Sequence, residues 1–201
     1  ITSGNLGEVG VAPQQLVFSA SNATVPQAIV LGGVDEAIDD GDQTAVVRIA
    51  VSLDSDPDFV SLAPITRAVI NVDDDMAGVA LALTGPSSIL ESQSTTLALS
   101  LASQPVADVT VTLEAVLRAP GQSGDLLYAL APLTVTIAPE QWATPVELRL
   151  QTTDNRLANP DQIVDVRIVS VSSADPNYQG LSAAPVAVTV TDRGAYGLQE
   201  I

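Results

Sequence analysis

Carboxylates are almost the only side chains in this sequence that could take part in chemistry. The 201 residues include 24 Asp and Glu against seven basic residues, for a formal net charge of −17, and no His or Cys. All seven basic residues are Arg, and Lys is absent. Without imidazole or thiol there is no Ser-His-Asp triad, no Cys nucleophile, no imidazole base titrating near neutral pH and no zinc site of the usual nitrogen or sulfur type. Two uses of carboxylates are left: paired-acid hydrolysis and the binding of hard cations such as Ca2+. Nucleic acid is excluded as a partner, because neutralising phosphates requires clustered cations.

The acidic residues are unevenly placed. Five of the eight residues from 35 to 42 are acidic (Asp35, Glu36, Asp39, Asp40 and Asp42), and Gly41 permits a tight turn among them. Asp73, Asp74 and Asp75 form a second run. Two like charges about 4 Å apart repel by roughly 1 kcal/mol even in bulk water, so crowding of this kind is costly unless a cation relieves it. Ca2+ accepts about 6–8 oxygens in irregular geometry, which suits ligands drawn from two loops. The competing reading is solvated turns, since Asp is a common turn former and an acidic surface aids solubility.

The elements that would position these loops are strands. Apolar residues recur with a period of two: Leu97, Leu99 and Leu101; Val109, Val111 and Leu113; Leu133, Val135 and Ile137; Leu148 and Leu150; Val164, Val166 and Ile168; Val186, Val188 and Val190. Each run has one apolar face and one small or polar face, and Gly85-Pro86, Gln104-Pro105, Pro120-Gly121, Asn159-Pro160 and Asp175-Pro176 supply turns between them. No segment carries a convincing helical period. The pattern predicts an antiparallel β-sandwich, and an apolar content of 46% is ample for packed cores.

The chain also repeats itself. At an offset of 119, residues 16–75 align with 135–194 without a gap, matching Pro26 with Pro145, Asp35 with Asp154, Asp42-Gln43 with Asp161-Gln162, Val47-Arg48-Ile49 with Val166-Arg167-Ile168, Asp56-Pro57 with Asp175-Pro176 and Asp73 with Asp192. Residues 76–193 are expected to be a complete second module. Residues 1–75 would then be the later part of a first one, short of about 44 residues at its start, with a partly open apolar inner face. Residues 194–201 would open the first strand of a third. The segment reads as a window on a longer tandem array.

Three features resemble the Calx-β module as it is repeated in large bacterial surface proteins and adhesins: Pro139 to Val146 (PEQWATPV) before a strand, Ser173 to Leu181 (SADPNYQGL), and a last strand running into acids, Val69 to Asp75 (VINVDDD). The acid early in the second module, Glu91, is a fourth. The resemblance implies an all-β fold of tandem antiparallel, Ig-like seven-stranded sandwiches, the first incomplete, with Ca2+ held by end-loop carboxylates near the junction between modules. Carried over position by position, it assigns the metal to Asp35, Glu36, Asp40, Asp73, Asp74 and Asp75, with the early-strand acid missing from this first set. A weaker second set falls at Glu91, Asp154 and Asp192, where Asn155, Asn159, Arg193 and Gly194 stand at the remaining positions.

The expected role is structural and non-catalytic: a repeat segment of an extracellular, adhesin-like or filament-forming surface protein, stiffened by Ca2+ at the first junction. Its partners would be neighbouring repeats of the same polypeptide and other subunits of an assembly. The alternative is a module that binds a glycan or a protein through its end loops or an edge strand. Hydrolysis by Glu140 with Glu147, or by Glu91 with Asp154, lacks the aromatic-lined cleft such chemistry needs, because aromatics make up only 3% of the chain. Trp142 and Tyr178 are expected as core or corner residues rather than a sugar platform. No apolar run is long enough for a membrane-spanning helix, so no membrane insertion is expected.

Overall fold

A computed structural model describes residues 1–118, 126–158 and 160–193. The third-module opening, Asn159 and Gly194 lie outside the described residues. The protein is all-β and divides into two compact units, residues 1–75 and 76–201.

The second unit is a two-sheet β-sandwich. One sheet has the order β10-β12-β8-β6 and the other β11-β9-β13-β14-β7. Their strands are β6 (Val79–Leu83), β7 (Ser88–Leu90), β8 (Ser94–Leu101), β9 (Val109–Leu117), β10 (Leu127–Ala131), β11 (Thr134–Ile137), β12 (Val146–Thr153), β13 (Gln162–Ser173) and β14 (Val186–Thr191). All pairings are antiparallel except that of β14 with β7. Nine strands are described where seven were expected: β7 and β10 were not read from the sequence, and each lies in the sheet opposite its chain neighbour, β6 or β11. The breaks fall at Gly85-Pro86, between β6 and β7, and at Pro132-Leu133, between β10 and β11. A proline has no N–H for the ladder, so strands change sheet there at little cost.

The two-residue period explains the core. Leu97, Leu99, Leu148 and Leu150 on one sheet meet Val109, Val111, Val164, Val166 and Val188 on the other, all fully buried. Tyr178 closes one corner: its hydroxyl bonds the Ser103 carbonyl and hydroxyl and accepts the Ser103 N–H at 3.1 Å. It is therefore a buried corner residue, unavailable as a sugar platform, and Trp142 packs half-buried against the same core.

The first unit holds β1 (Thr2–Ser3), β2 (Val9–Ala12), β3 (Val30–Gly33), β4 (Gln43–Ile49) and β5 (Ile65–Asn71), in sheets ordered β1-β4-β5 and β2-β3. A four-residue helix, α1 (Pro57–Val60), stands where the sequence read only a turn. Pro57 opens it and the Asp56 carboxylate caps it by accepting the Asp58 N–H at 3.0 Å.

The registers of the two units match. Val9 opposite Gly33 and Ala12 opposite Val30 correspond, at the offset of 119, to Tyr128 opposite Thr152 and Ala131 opposite Arg149; Gln43 opposite Asn71 corresponds to Gln162 opposite Val190. Burial does not match. Leu31 is 40% exposed where Leu150 is fully buried, and Phe18 is 55% exposed where Ile137 is 2%. Residues 15–18, the counterpart of β11, form no strand. In the second unit β11 is held by the N-terminal half of β9, and residues 1–75 contain no strand in that place.

Truncation of a matched pair measures this difference. Leu150→Ala should lower the stability of the second unit by about 2–5 kcal/mol, read from Trp142 fluorescence in urea. Leu31→Ala should weaken residues 1–75 by less than half as much, read from hydrogen exchange of the β4 amides. Equal losses would contradict the burial difference.

Candidate metal centre

Three separate segments of the first unit bring their acids to one pocket of about 310 Å3. The turn before β2 supplies Glu8, the connection from β3 to β4 supplies Asp35, Glu36 and Asp40, and the end of β5 supplies Asp73, Asp74 and Asp75. No arginine lines it. Within it, one oxygen each from Glu8, Glu36 and Asp40 lie within 4.8 Å of one another, and so do oxygens of Asp35, Asp74 and Asp75. Oxygens about 2.3–2.6 Å from one Ca2+ are separated by no more than about twice that distance, so each triad is spaced for a single cation to reach all three members.

Asp73 is placed differently. Its Oδ2 accepts the Gly41 N–H at 2.7 Å and its Oδ1 accepts the Asp75 N–H at 2.9 Å, while its own N–H donates to Asp42 Oδ1 at 3.1 Å. It ties the two acidic loops together and belongs to neither triad. The N–H donors of Asp75 and Gly41 favour the charged form and hold its carboxyl below the usual aspartate range. The turn that presents the Gly41 N–H has φ +76°, which glycine adopts freely.

Glu36 and Asp75 are pushed the other way. Lost solvation raises both, reinforced for Glu36 by Glu8 and Asp40 and for Asp75 by Asp73 and Asp74. These carboxylates resist becoming anionic together, and a bound cation would reverse that resistance.

Glu8 is the member the sequence reading missed. The early-strand acid was expected to be missing from this set, yet Glu8 enters the pocket from a different element. It is only 7% exposed. Asn71 fixes it, donating from Nδ2 to Glu8 Oε2 at 3.0 Å and to the Val34 carbonyl at 2.8 Å. A Cβ at Gly33 would lie 2.3 Å from Asn71 Oδ1, so glycine there makes room for the amide. Glu8 is the sole acid among the first 34 residues, and an isolated glutamate before a short strand carries no pattern.

Among the described residues of the second unit, Glu91, Asp154 and Asp192 do not form such a triad. Counterpart positions explain the loss: Leu127 stands for Glu8, Asn155 for Glu36, Arg193 for Asp74, and Pro160, which has no N–H, for Gly41. Glu91 remains buried, 2% exposed, and its Oε2 has no hydrogen-bond partner among the described residues. Burial, then Asp192 and Asp154, raise its pKa.

No protein-family model matches the chain, and no curated protein does. Among solved structures it is similar to the apo form of the Calx CBD1 domain (11% identity, 58% of this chain and 99% of that one, TM-score 0.41). A cohesin module from a Clostridium perfringens family 33 glycoside hydrolase is also similar (10% identity, 59% and 100%, TM-score 0.35). So are domains 4 and 5 of the S-layer protein SbsC (9% identity, 76% and 66%, TM-score 0.35). At these identities the likeness concerns the fold alone.

The raised pKa of Glu91 has a sign that can be tested. An acid whose folded-state pKa lies above its unfolded value binds protons preferentially in the folded state, so stability falls as pH rises through that window. The second unit should therefore gain stability as the pH drops from 7 towards the ordinary glutamate value of 4.5. Glu91→Gln should raise its stability at pH 7 and flatten this part of the profile. Urea melts followed by Trp142 fluorescence would show it, and a variant with an unchanged slope would contradict the assignment.

Proposed function

We propose that the chain is a non-catalytic, structural repeat segment of an extracellular surface or filament-forming protein, and that its first unit binds Ca2+. The observation that carries this reading is seven carboxylates from three chain segments lining one pocket that no arginine lines. Glu8, Glu36 and Asp40 would hold one ion, and Asp35, Asp74 and Asp75 a second. Hard oxygen donors in irregular loops suit Ca2+ better than Mg2+, which demands near-octahedral geometry and keeps its waters. Asp75 is the last residue of the first unit, so an ion held there would stiffen the chain where it enters the second. The repeat at an offset of 119 supports an array whose partners are neighbouring repeats of the same polypeptide and other subunits. Against catalysis stand the absence of His and Cys. Among the described residues no helix is long and apolar enough to cross a membrane.

Calcium titration tests the proposal. A ligand that binds only the folded state stabilises it by RT ln(1 + [L]/Kd), about 2.7 kcal/mol at a hundredfold excess over Kd, so millimolar Ca2+ should raise the melting temperature of the first unit and Mg2+ should do less. Glu8→Gln should weaken the response, Asp74→Asn with Asp75→Asn should remove most of it, and Asp192→Asn should leave it unchanged. No heat of binding at millimolar Ca2+ would refute the proposal.

A further inference from the structure

We propose that Glu8, Gly33 and Asn71 act as one unit that decides whether a repeat of this type takes the cation, with Asn71 as the positioning residue through which Glu8 becomes a ligand. The inference rests on the calcium reading and adds to it two uncharged residues on which binding depends.

Glu8 is pinned twice. Its carbonyl accepts the Val34 N–H at 2.8 Å, which holds its backbone beside the end of β3, and its Oε2 accepts an N–H from Asn71 Nδ2 at 3.0 Å. The same nitrogen donates to the Val34 carbonyl at 2.8 Å. An amide nitrogen carries only two N–H donors, so both are engaged: one on a buried carboxylate, the other on the residue that leads into Asp35 and Glu36. A neutral donor suits this place. Lys or Arg could also hold a carboxylate, but would bring to the pocket a positive charge that repels the metal. Gly33 completes the arrangement, because a Cβ there would lie 2.3 Å from Asn71 Oδ1. Its φ is not positive, so what glycine supplies at this position is room for the amide rather than backbone freedom.

In the second unit all three residues are exchanged together. At the offset of 119, Leu127 stands for Glu8, Thr152 for Gly33 and Val190 for Asn71. The strand registers are the same in both units, so the exchange is one of side chains and not of frame. Thr152 is 1% exposed and its hydroxyl donates to the Gln93 carbonyl at 2.9 Å, while Val190 packs into the core. Where the carboxylate is lost, its amide partner and the room for that amide are lost with it. A joint exchange of this kind is expected of residues that serve the carboxylate.

Calorimetric titration of the full chain and its variants with Ca2+ tests the inference. Partners that hydrogen-bond to metal ligands typically account for about 10–100-fold in affinity, and Asn71→Val should weaken binding by that much. In a Glu8→Leu chain the same substitution should change affinity little, because the residue it acts through is gone. Asn71→Asp discriminates further: for a residue that merely lines the pocket, an added carboxylate would tighten Ca2+ binding, whereas loss of both N–H donors should weaken it. Tb3+ in place of Ca2+ gives a readout that fold stability does not move. Its luminescence decay in H2O and D2O counts ion-bound waters, and that count should rise on Asn71→Val in the unaltered chain and stay level in the Glu8→Leu chain. Should Asn71→Val disturb the fold, the triple variant Glu8→Leu, Gly33→Thr, Asn71→Val, which carries the second unit's set, should fold and match Glu8→Leu alone in affinity. Equal losses in the two backgrounds, tighter binding by Asn71→Asp, an unchanged water count or a triple variant that binds more weakly than Glu8→Leu would overturn this inference and leave the calcium reading in place. Absence of Ca2+ binding by the unaltered chain would refute that reading and this inference with it.

Discussion

A strand with one apolar face needs two things at once: neighbours that complete its hydrogen-bond ladder and an opposing sheet that covers that face. Nearly every structural feature of this chain follows from how far each requirement is met. In the second unit both are met, and the alternating leucines and valines of β8, β9, β12, β13 and β14 bury completely between two sheets. In residues 1–75 the same ladder registers recur, but the buried cluster shrinks to Val9, Ala45 and Val47 with a few partly covered neighbours. Identical local instructions therefore lead to different burial.

The acidic pocket depends on the same frame. Its three segments meet because β2 begins there while β3 and β5 end there, with Asn71 at the end of β5 reaching across to Glu8 and the Val34 carbonyl. Like charges would drive such loops apart. Asp73 opposes this by accepting two backbone N–H bonds, a use of negative charge that costs no cation. Among the described residues Asp73 alone of the pocket's carboxylates accepts two backbone N–H bonds, and desolvation with mutual repulsion raises Glu36 and Asp75.

Divergence between the units includes the acids at this end. The strands keep Val-Arg-Ile and Asp-Gln at matching places, whereas the loop acids of the first unit become Leu127, Asn155 and Arg193 in the second, and the N–H of Gly41 is lost to Pro160. Asp154 and Asp192 persist at the positions of Asp35 and Asp73, and Glu91 is buried near them with its pKa raised. The second unit compensates through packing and its corner: the Tyr178 hydroxyl and the Asp175 carboxylate, which accepts the Val106 N–H at 2.8 Å, pin the loop after β8. In the first unit Phe59, which has no hydroxyl, stands at the Tyr178 position and is exposed.

The all-β class, the long strands of the second unit and the meeting of the acidic runs were legible in the sequence, because a two-residue period and clustered charge are local signals. Tyr178 as a core or corner residue was legible because a lone aromatic in an aromatic-poor sandwich is most readily placed by burial. Three things were decided only in three dimensions. Glu8 joins the site through a bond to a residue 63 positions away, and a lone glutamate gives no local sign of that. Asp73 looked like its two neighbours in the run, yet its oxygens are taken by backbone donors, a matter of loop geometry. The assignment of β6 and β7, and of β10 and β11, to opposite sheets is a property of the packed sandwich, since alternation within a strand specifies which residues share a face but not which sheet lies opposite.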